Sequence, residues 1–294
     1  MLSLIENKYW IWISRLPGIG TKTLKKLLSK YGSLNEIYTL TKEKLIEDKI
    51  ISDKIIETII DKKYRENLNK YIEYMEKEKI NIITQDDIEY PDKLKQIYDS
   101  PMYLFTKGNV NLLKRKSIAI VGSRFCTNYG KTIAKSLAED LVKNNIIIVS
   151  GLAKGIDSFS HIGTLKKEES TIAVLGSSHD NIYPKENINL ANKIIEKNGL
   201  IVSEYVIGSK LVKYNFPARN RIISGISDGI LVIEAKEKSG ALITVDFALE
   251  QGKDVFAVPG NINNSFSKGS NQIIKEGAKL VCSVDDILQE FLNN

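Results

Sequence analysis

The sequence predicts an α/β protein: a parallel sheet with a mixed edge and helices on both faces, preceded by a small all-helical domain. Three observations carry this. Apolar runs of strand length recur seven times after residue 116, amphipathic helical patterns separate most of them, and before residue 76 the apolar spacing is helical. Continuous Ile/Val-rich runs alternating with helices indicate strands buried on both faces.

In residues 1–75, Leu4, Ile11, Ile13, Leu16, Leu24, Leu27 and Leu28 recur at helical spacing. Between them lies Leu16-Pro17-Gly18-Ile19-Gly20-Thr21, two glycines around one apolar residue, which is the pattern of a tight hairpin between helices. Thr21 is the expected cap, and the exposed amides with Lys22, Lys25 and Lys26 suit a phosphate. A helix-hairpin-helix or SAM-like domain fits, and so does a helical packing module with no ligand. Residues 76–116 read as a structured connector: a strand at Ile80–Thr84, a helix starting at Tyr90-Pro91, and a strand at Met102–Thr106. Residues 117–294 form the sheet domain, with strands expected at Ser117–Gly122, Ile146–Ser150, Thr171–Gly176, Leu200–Glu204, Gly229–Glu234, Asp254–Val258 and Lys279–Cys282.

In open α/β sheets ligands bind outside the carboxyl ends of the strands, near the switch in strand order. The residues there are therefore the candidates. The first strand leads into Gly122-Ser123-Arg124, offering close backbone approach, a hydroxyl and a cation. Gly130-Lys131-Thr132 imitates the end of a P-loop, but Phe125 stands where its first glycine belongs, so a nucleoside-triphosphatase reading is rejected. The second strand leads into Gly151-Leu152-Ala153-Lys154-Gly155-Ile156-Asp157, an anion nest at a strand-to-helix turn. Asp157 reads as a cap and His161 as a buried histidine. After the fifth strand, Ser239 and Gly240 open a helix whose amides suit another phosphate.

Lys213-Tyr-Asn-Phe-Pro-Ala-Arg-Asn-Arg221 is the most telling stretch. It sets Phe216 among Lys213, Arg219 and Arg221, with Asn220 between the two arginines. Flat rings stack on bases, and guanidinium forks hold phosphates in pairs of hydrogen bonds. Only 6 Arg stand against 36 Lys, and half of the Arg fall at 124, 219 and 221. The bland alternative is a helix start with solvated charges.

Composition sets the bounds. No apolar run approaches a membrane span, residues 1–10 lack the pattern of a signal peptide, and Cys126 and Cys282 have no metal spacing, so a reducing cytoplasm is expected. The net charge of +6 splits unevenly: residues 1–116 carry +5 and residues 117–294 carry +1. A polyanion must then be held by a local cluster of charge.

Seven motifs in order, IAIVGSR, SGLAKGID followed by His161, VLG with D-x-x-YP, SEY, FPARNRIISG, SGALIT and VPG, closely resemble the DNA-processing protein A family, also called DprA or Smf. They cover about 117–282. The resemblance implies an extended Rossmann-like domain behind a helical domain, and single-stranded DNA binding without catalysis, cofactor or metal. It also implies a homodimer that protects incoming DNA and loads a RecA-type recombinase in natural transformation. By motif the DNA contacts fall on Arg124, Lys154, Lys213, Phe216, Arg219, Asn220 and Arg221. Gly122, Ser123, Gly151 and Gly155 shape the pocket, and Ser239 and Gly240 offer helix amides to a phosphate. Two departures stand out: Ser178 replaces a usual glycine, with strain expected if its φ is positive, and His179 is unexpected beside it. No C-terminal winged helix is expected.

Stacking on Phe216 with about four phosphates neutralised predicts little base preference and a salt slope near −3. The main alternative is a nucleoside monophosphate phosphoribohydrolase, with Glu204 or Glu234 as its carboxylate. Against it, no PGGxGT motif appears, since Asn261-Ile262-Asn263 follows Pro259-Gly260. A pure interaction scaffold and a hairpin-based glycosylase are weaker alternatives.

Overall fold

The computed structural model describes residues 4–292, with the side chains of 7–291. Leu4 opens the first helix, but its side chain lies outside the described residues. Nine strands make one sheet: β1 (Ile80–Thr84), β2 (Tyr103–Gly108), β3 (Ser117–Gly122), β4 (Ile147–Ser150), β5 (Thr171–Leu175), β6 (Leu200–Ser203), β7 (Gly229–Ile233), β8 (Asp254–Ala257) and β9 (Lys279–Leu280). Every expected strand is present, most within a residue or two of its expected bounds.

The strand order is β1-β2-β6-β5-β4-β3-β7-β8-β9. The strands from β6 to β9 in that order are mutually parallel, whereas β2 runs antiparallel to both β6 and β1. The two connector strands thus form the mixed edge. Order builds outward from β3 through β4 to β6 on one side, and from β7 to β9 on the other. The switch in strand order therefore falls between β3 and β7.

Period-two alternation divides the core. Ala119, Val121, Val149 and Val232 face one layer with Ile222, Ile223, Ile226 and Val245. Ile118, Ile120, Ile148 and Leu231 face the other with Ala134, Leu137, Leu141 and Ile156. The short β4 and β5 are buried along their whole length, as strands covered on both faces must be.

The N-terminal helices close a separate apolar cluster around Ile11, Trp12, Leu27, Ile37 and Ile59, which also takes in Ile80, Ile82 and Phe105 of β1 and β2. At the hairpin, Gly18 has φ +83°, a left-handed conformation suited to glycine. Thr21 is not the cap: Gly20 holds that position, with no side-chain hydrogen bond, and Thr21 is the first helical residue. Lys22 lies with its ammonium 4.9 Å from the Tyr98 ring, so it is spent on the connector. Among the described residues no helix is long and apolar enough to cross a membrane.

Candidate nucleic-acid interface

A cavity of about 400 Å³ opens at the switch point. The turn after β3 contributes Gly122, Ser123, Arg124 and Phe125, and the turn after β4 contributes Ala153 and Asp157. The helix Asn215–Ile226 supplies Phe216, Arg219, Asn220 and Ile223. These recur at i, i+3, i+4 and i+7, one face of a helix. The turn after β7 and the helix start that follows it contribute Lys236, Lys238, Ser239 and Gly240.

The four arms are held by specific bonds. Ser123 N–H donates to the Glu234 carbonyl at 2.7 Å, tying the β3 turn to the end of β7. The Ser123 hydroxyl donates to the Phe125 carbonyl at 2.9 Å and accepts from the Phe125 N–H at 3.2 Å, so it shapes the turn. Asn220 accepts from Arg219 Nε at 3.2 Å and donates to the Gly240 carbonyl at 3.3 Å, joining two walls. Ser239 caps the helix Gly240–Glu250, accepting from Ala241 N–H at 3.3 Å. Gly240 is exposed, with open space where a Cβ would point.

The chemistry of the cavity is that of a cationic groove with a ring. Arg124 is exposed and makes no hydrogen bond or ion pair among the described residues; its guanidinium lies 5.8 Å from the Phe216 ring centroid. Phe216 is half-buried. The ring rests on Gly176, where a Cβ would come within 2.6 Å of it, and Tyr183 packs against it at 5.5 Å between centroids. Lys236 and Lys238 are exposed, and the Lys236 ammonium sits 4.4 Å from the Phe266 ring.

Several expected roles change. Arg221 does not reach the cavity. Residues 219 and 221 are two apart on a helix, roughly 200° around it, so they cannot share a face. Arg221 is only 7% exposed, and its fork is bidentate to Glu204 at 2.6 and 2.9 Å, with Nε 2.9 Å from the Asp99 carboxylate. Burial lowers its pKa, but the carboxylates of Glu204 and Asp99 outweigh that and leave it raised. Arg219 lines the cavity yet is 4% exposed, donating to the carbonyls of Gly151 at 2.7 Å and of Val174. Burial pulls its pKa to about 10, still protonated at neutral pH, with Asp157 acting the other way. Asp157 is in turn pushed above the usual carboxylate value by burial, against the pull of Arg219 and of the Ala153 and Gly151 amides. Arg219 therefore clamps the β4 and β5 ends, and it presents no free fork to a phosphate.

The glycines, too, serve packing. At Gly122 a Cβ would stand 2.0 Å from the Ile233 carbonyl and 2.6 Å from Ile156. Gly151 leaves room for Arg219 Nη2 and Asp157 Oδ2, at 2.4 and 2.7 Å from where its Cβ would be. Gly155 has φ +77° and packs on the Ser123 carbonyl. Gly151, Lys154, Gly155 and Lys213 are not part of the cavity wall. Lys154 is exposed and pairs with Glu186 at 2.5 Å, a solvated contact that a phosphate can displace. Lys213 is exposed on the lip just before the helix Asn215–Ile226.

The turn after β5 carries no strain at Ser178, whose φ is not positive. His179 sits within 3.0 Å of the Phe105 carbonyl, so Nε2 must carry the proton, and burial lowers its pKa to about 4. His161 is fully buried, as expected. Thr171 Oγ1 donates to the Ile148 carbonyl and so must accept from His161 Nδ1 at 2.7 Å; burial and the Arg219 charge lower the histidine to about 3.

Each of the two carboxylates that could serve the hydrolase alternative is occupied. Glu204 holds Arg221. Glu234 is buried with φ +53°, and its carboxylate accepts from the Thr127 N–H at 2.8 Å and from the Thr127 hydroxyl, at the start of the helix Asn128–Lys143. Among the described residues no cluster of His, Cys, Asp and Glu gathers that suits a metal ion.

Phe125, Lys236 and Lys238 were missed by sequence reasoning. A Lys-x-Lys-Ser-Gly run at a strand-to-helix turn was the available signal for the lysines.

The family model for DNA recombination-mediator protein A matches residues 81–292. The DNA processing protein DprA of Streptococcus pneumoniae is 48% identical over 202 residues, 69% of this chain and 71% of its own length. Protein Smf of a Synechocystis species is 37% identical over 287 residues, 96% of this chain and 72% of its own. Among solved structures, DNA processing protein A from Streptococcus pneumoniae superposes with a TM-score of 0.81 at 39% identity, covering 96% of this chain and 97% of that one. The same protein from Helicobacter pylori, solved to show its single-stranded DNA binding mode, gives a TM-score of 0.65 at 32% identity, over 72% of this chain and 96% of that one.

Proposed function

The chain belongs to the DNA recombination-mediator protein A family, and on that footing we propose that it binds single-stranded DNA in the switch-point groove. The observation that carries this is the convergence there, from separate elements, of Arg124, which has no ion pair among the described residues, the Phe216 ring and the Lys236–Gly240 turn. A ring receives an unpaired base whatever its identity, and cations with a helix N-terminus receive the backbone. The single-stranded DNA binding mode of the Helicobacter pylori relative supports the same ligand.

Beyond binding, we read the protein as a homodimer that shields incoming strands and hands them to a RecA-type recombinase in transformation and recombination. The mediator description of the family supports the hand-over, and the small net charge of residues 117–294 supports a dimer, because two grooves side by side add avidity without new contacts. We assign no catalysis: Glu204 and Glu234, the carboxylates a glycosidic cleavage would use, are locked in internal bonds. A reducing cytoplasm accords with two free thiols.

Fluorescence anisotropy with single- and double-stranded oligonucleotides of equal length, across a salt series, tests the reading. Single strands should bind more tightly, with a slope between about −2 and −3 for three or four phosphates. Arg124→Ala should weaken binding and reduce the slope by about 0.7. Equal affinity for duplex, or an unchanged R124A titration, would refute it.

A further inference from the structure

The Phe125 side chain has no place in the contacts so far described. Its ring is 76% exposed, yet it stands in the cavity wall beside Arg124. A single exposed apolar side chain is ordinary. This one differs in being held: the Ser123 hydroxyl bonds both its N–H and its carbonyl, so the backbone that presents the ring is fixed. On one side Arg124 leans toward Phe216, its guanidinium 5.8 Å from that ring. Lys236 and Lys238 line the same cavity. The cavity lining thus holds two rings, one of them 5.8 Å from the Arg124 guanidinium, together with two exposed lysines.

We propose that Phe125 is a second stacking platform, so that the groove holds two consecutive unpaired nucleobases, one on Phe216 and one on Phe125, with the phosphate between them on Arg124. This rests on the single-strand reading above. It makes the recognised unit a dinucleotide step of unpaired strand. It also excludes duplex on geometric grounds, since paired bases cannot turn separately onto two rings.

The test uses the full chain and a short labelled oligothymidylate. F125L keeps the apolar volume and removes the ring face. It should weaken binding roughly tenfold, because stacking contributes that order per base, while the salt slope stays at the wild-type value, because no charge is lost. F125W should restore affinity. Its indole should also be quenched on binding, against a background from only Trp10 and Trp12 in the first helix. An oligonucleotide with two adjacent abasic positions should bind F125L and wild type alike. Thermal midpoints of the variants should match the wild type, since the ring supports nothing in the fold. If F125L binds like the wild type while F216L and R124A are weakened, the second platform is wrong and the groove stands. If all three bind like the wild type, the groove reading itself falls and takes this proposal with it.

Discussion

Arg221→Ala distinguishes a fold-holding arginine from a phosphate-holding one. The side chain is 7% exposed and makes two bonds to Glu204, at 2.6 and 2.9 Å, and one to Asp99. Glu204 is itself mostly buried, with 21% of its side chain exposed. Removing one partner of a buried pair strands the other, at a cost of about 3–5 kcal/mol. Water reaches Asp99, which is half exposed, so the lower end applies. A loss of about 3 kcal/mol lowers the melting temperature of a chain this size by roughly 5 °C. Thermal melts read that shift, and anisotropy across salt reads the other half. The slope should stay at the wild-type value, since no phosphate contact is lost. A slope reduced by about 0.7 with an unchanged melting temperature would show that Arg221 reaches DNA and that its pairs are incidental.

Gly151→Ala should destabilise by about 1–3 kcal/mol through overpacking against Arg219 and Asp157, whereas Gly240→Ala, facing open space, should melt like the wild type; matched melts of the two check the contrast. Melting should be independent of His161 and His179 above about pH 6.5 and should fall below it, because the unfolded histidines take protons there while the folded ones stay neutral to about 3 and about 4. His161→Asn should flatten that fall, and a profile that stays as steep would place its cause elsewhere. Glu234→Ala should cost about 2 kcal/mol, because it removes a charge-assisted acceptor from the half-buried Thr127 amide and the helix start behind it; an unchanged melt would show that the bond contributes nothing.

The fold was legible because its signals are local. Each β-strand announces itself as an apolar run bounded by Gly, Ser or charge, and Ile118/Ile120 against Ala119/Val121 already encode two faces. What the chain could not state locally was pairing. Nothing within 80–108 says that β1 and β2 extend the sheet beyond β6, since that contact joins Phe105 to Ser203 across about a hundred residues. The arginines failed for a related reason. A planar fork suits phosphate, but it equally suits buried carbonyls and carboxylates, and the partners of Arg219 and Arg221 lie far away in sequence at Gly151, Val174, Asp99 and Glu204. One part was recoverable. Reading 215–226 as a helix puts 216, 219, 220 and 223 together and sends 221 elsewhere.

The two strand-to-helix turns flanking the switch point divide one physical property between structure and ligand. Both lead into helices whose first amides carry partial positive charge. After β3 that charge is already answered from within. Glu234 adopts a left-handed backbone uncommon for its type and reaches Thr127, and Gly130 leaves no Cβ where one would stand 2.3 Å from the carboxylate. The turn that in dinucleotide-binding folds receives a pyrophosphate is here closed by a side chain of the neighbouring strand. After β7 the helix start keeps Ser239 as its cap and Gly240 open, with Lys236 and Lys238 before it. An anion entering the crevice therefore meets one helix end answered by a carboxylate and one answered only by a serine cap, with Arg124 lining the same cavity as the second. That asymmetry lets a sheet domain of nearly neutral charge bind a polyanion at one place, because the positive potential is left unbalanced on one wall of one cavity.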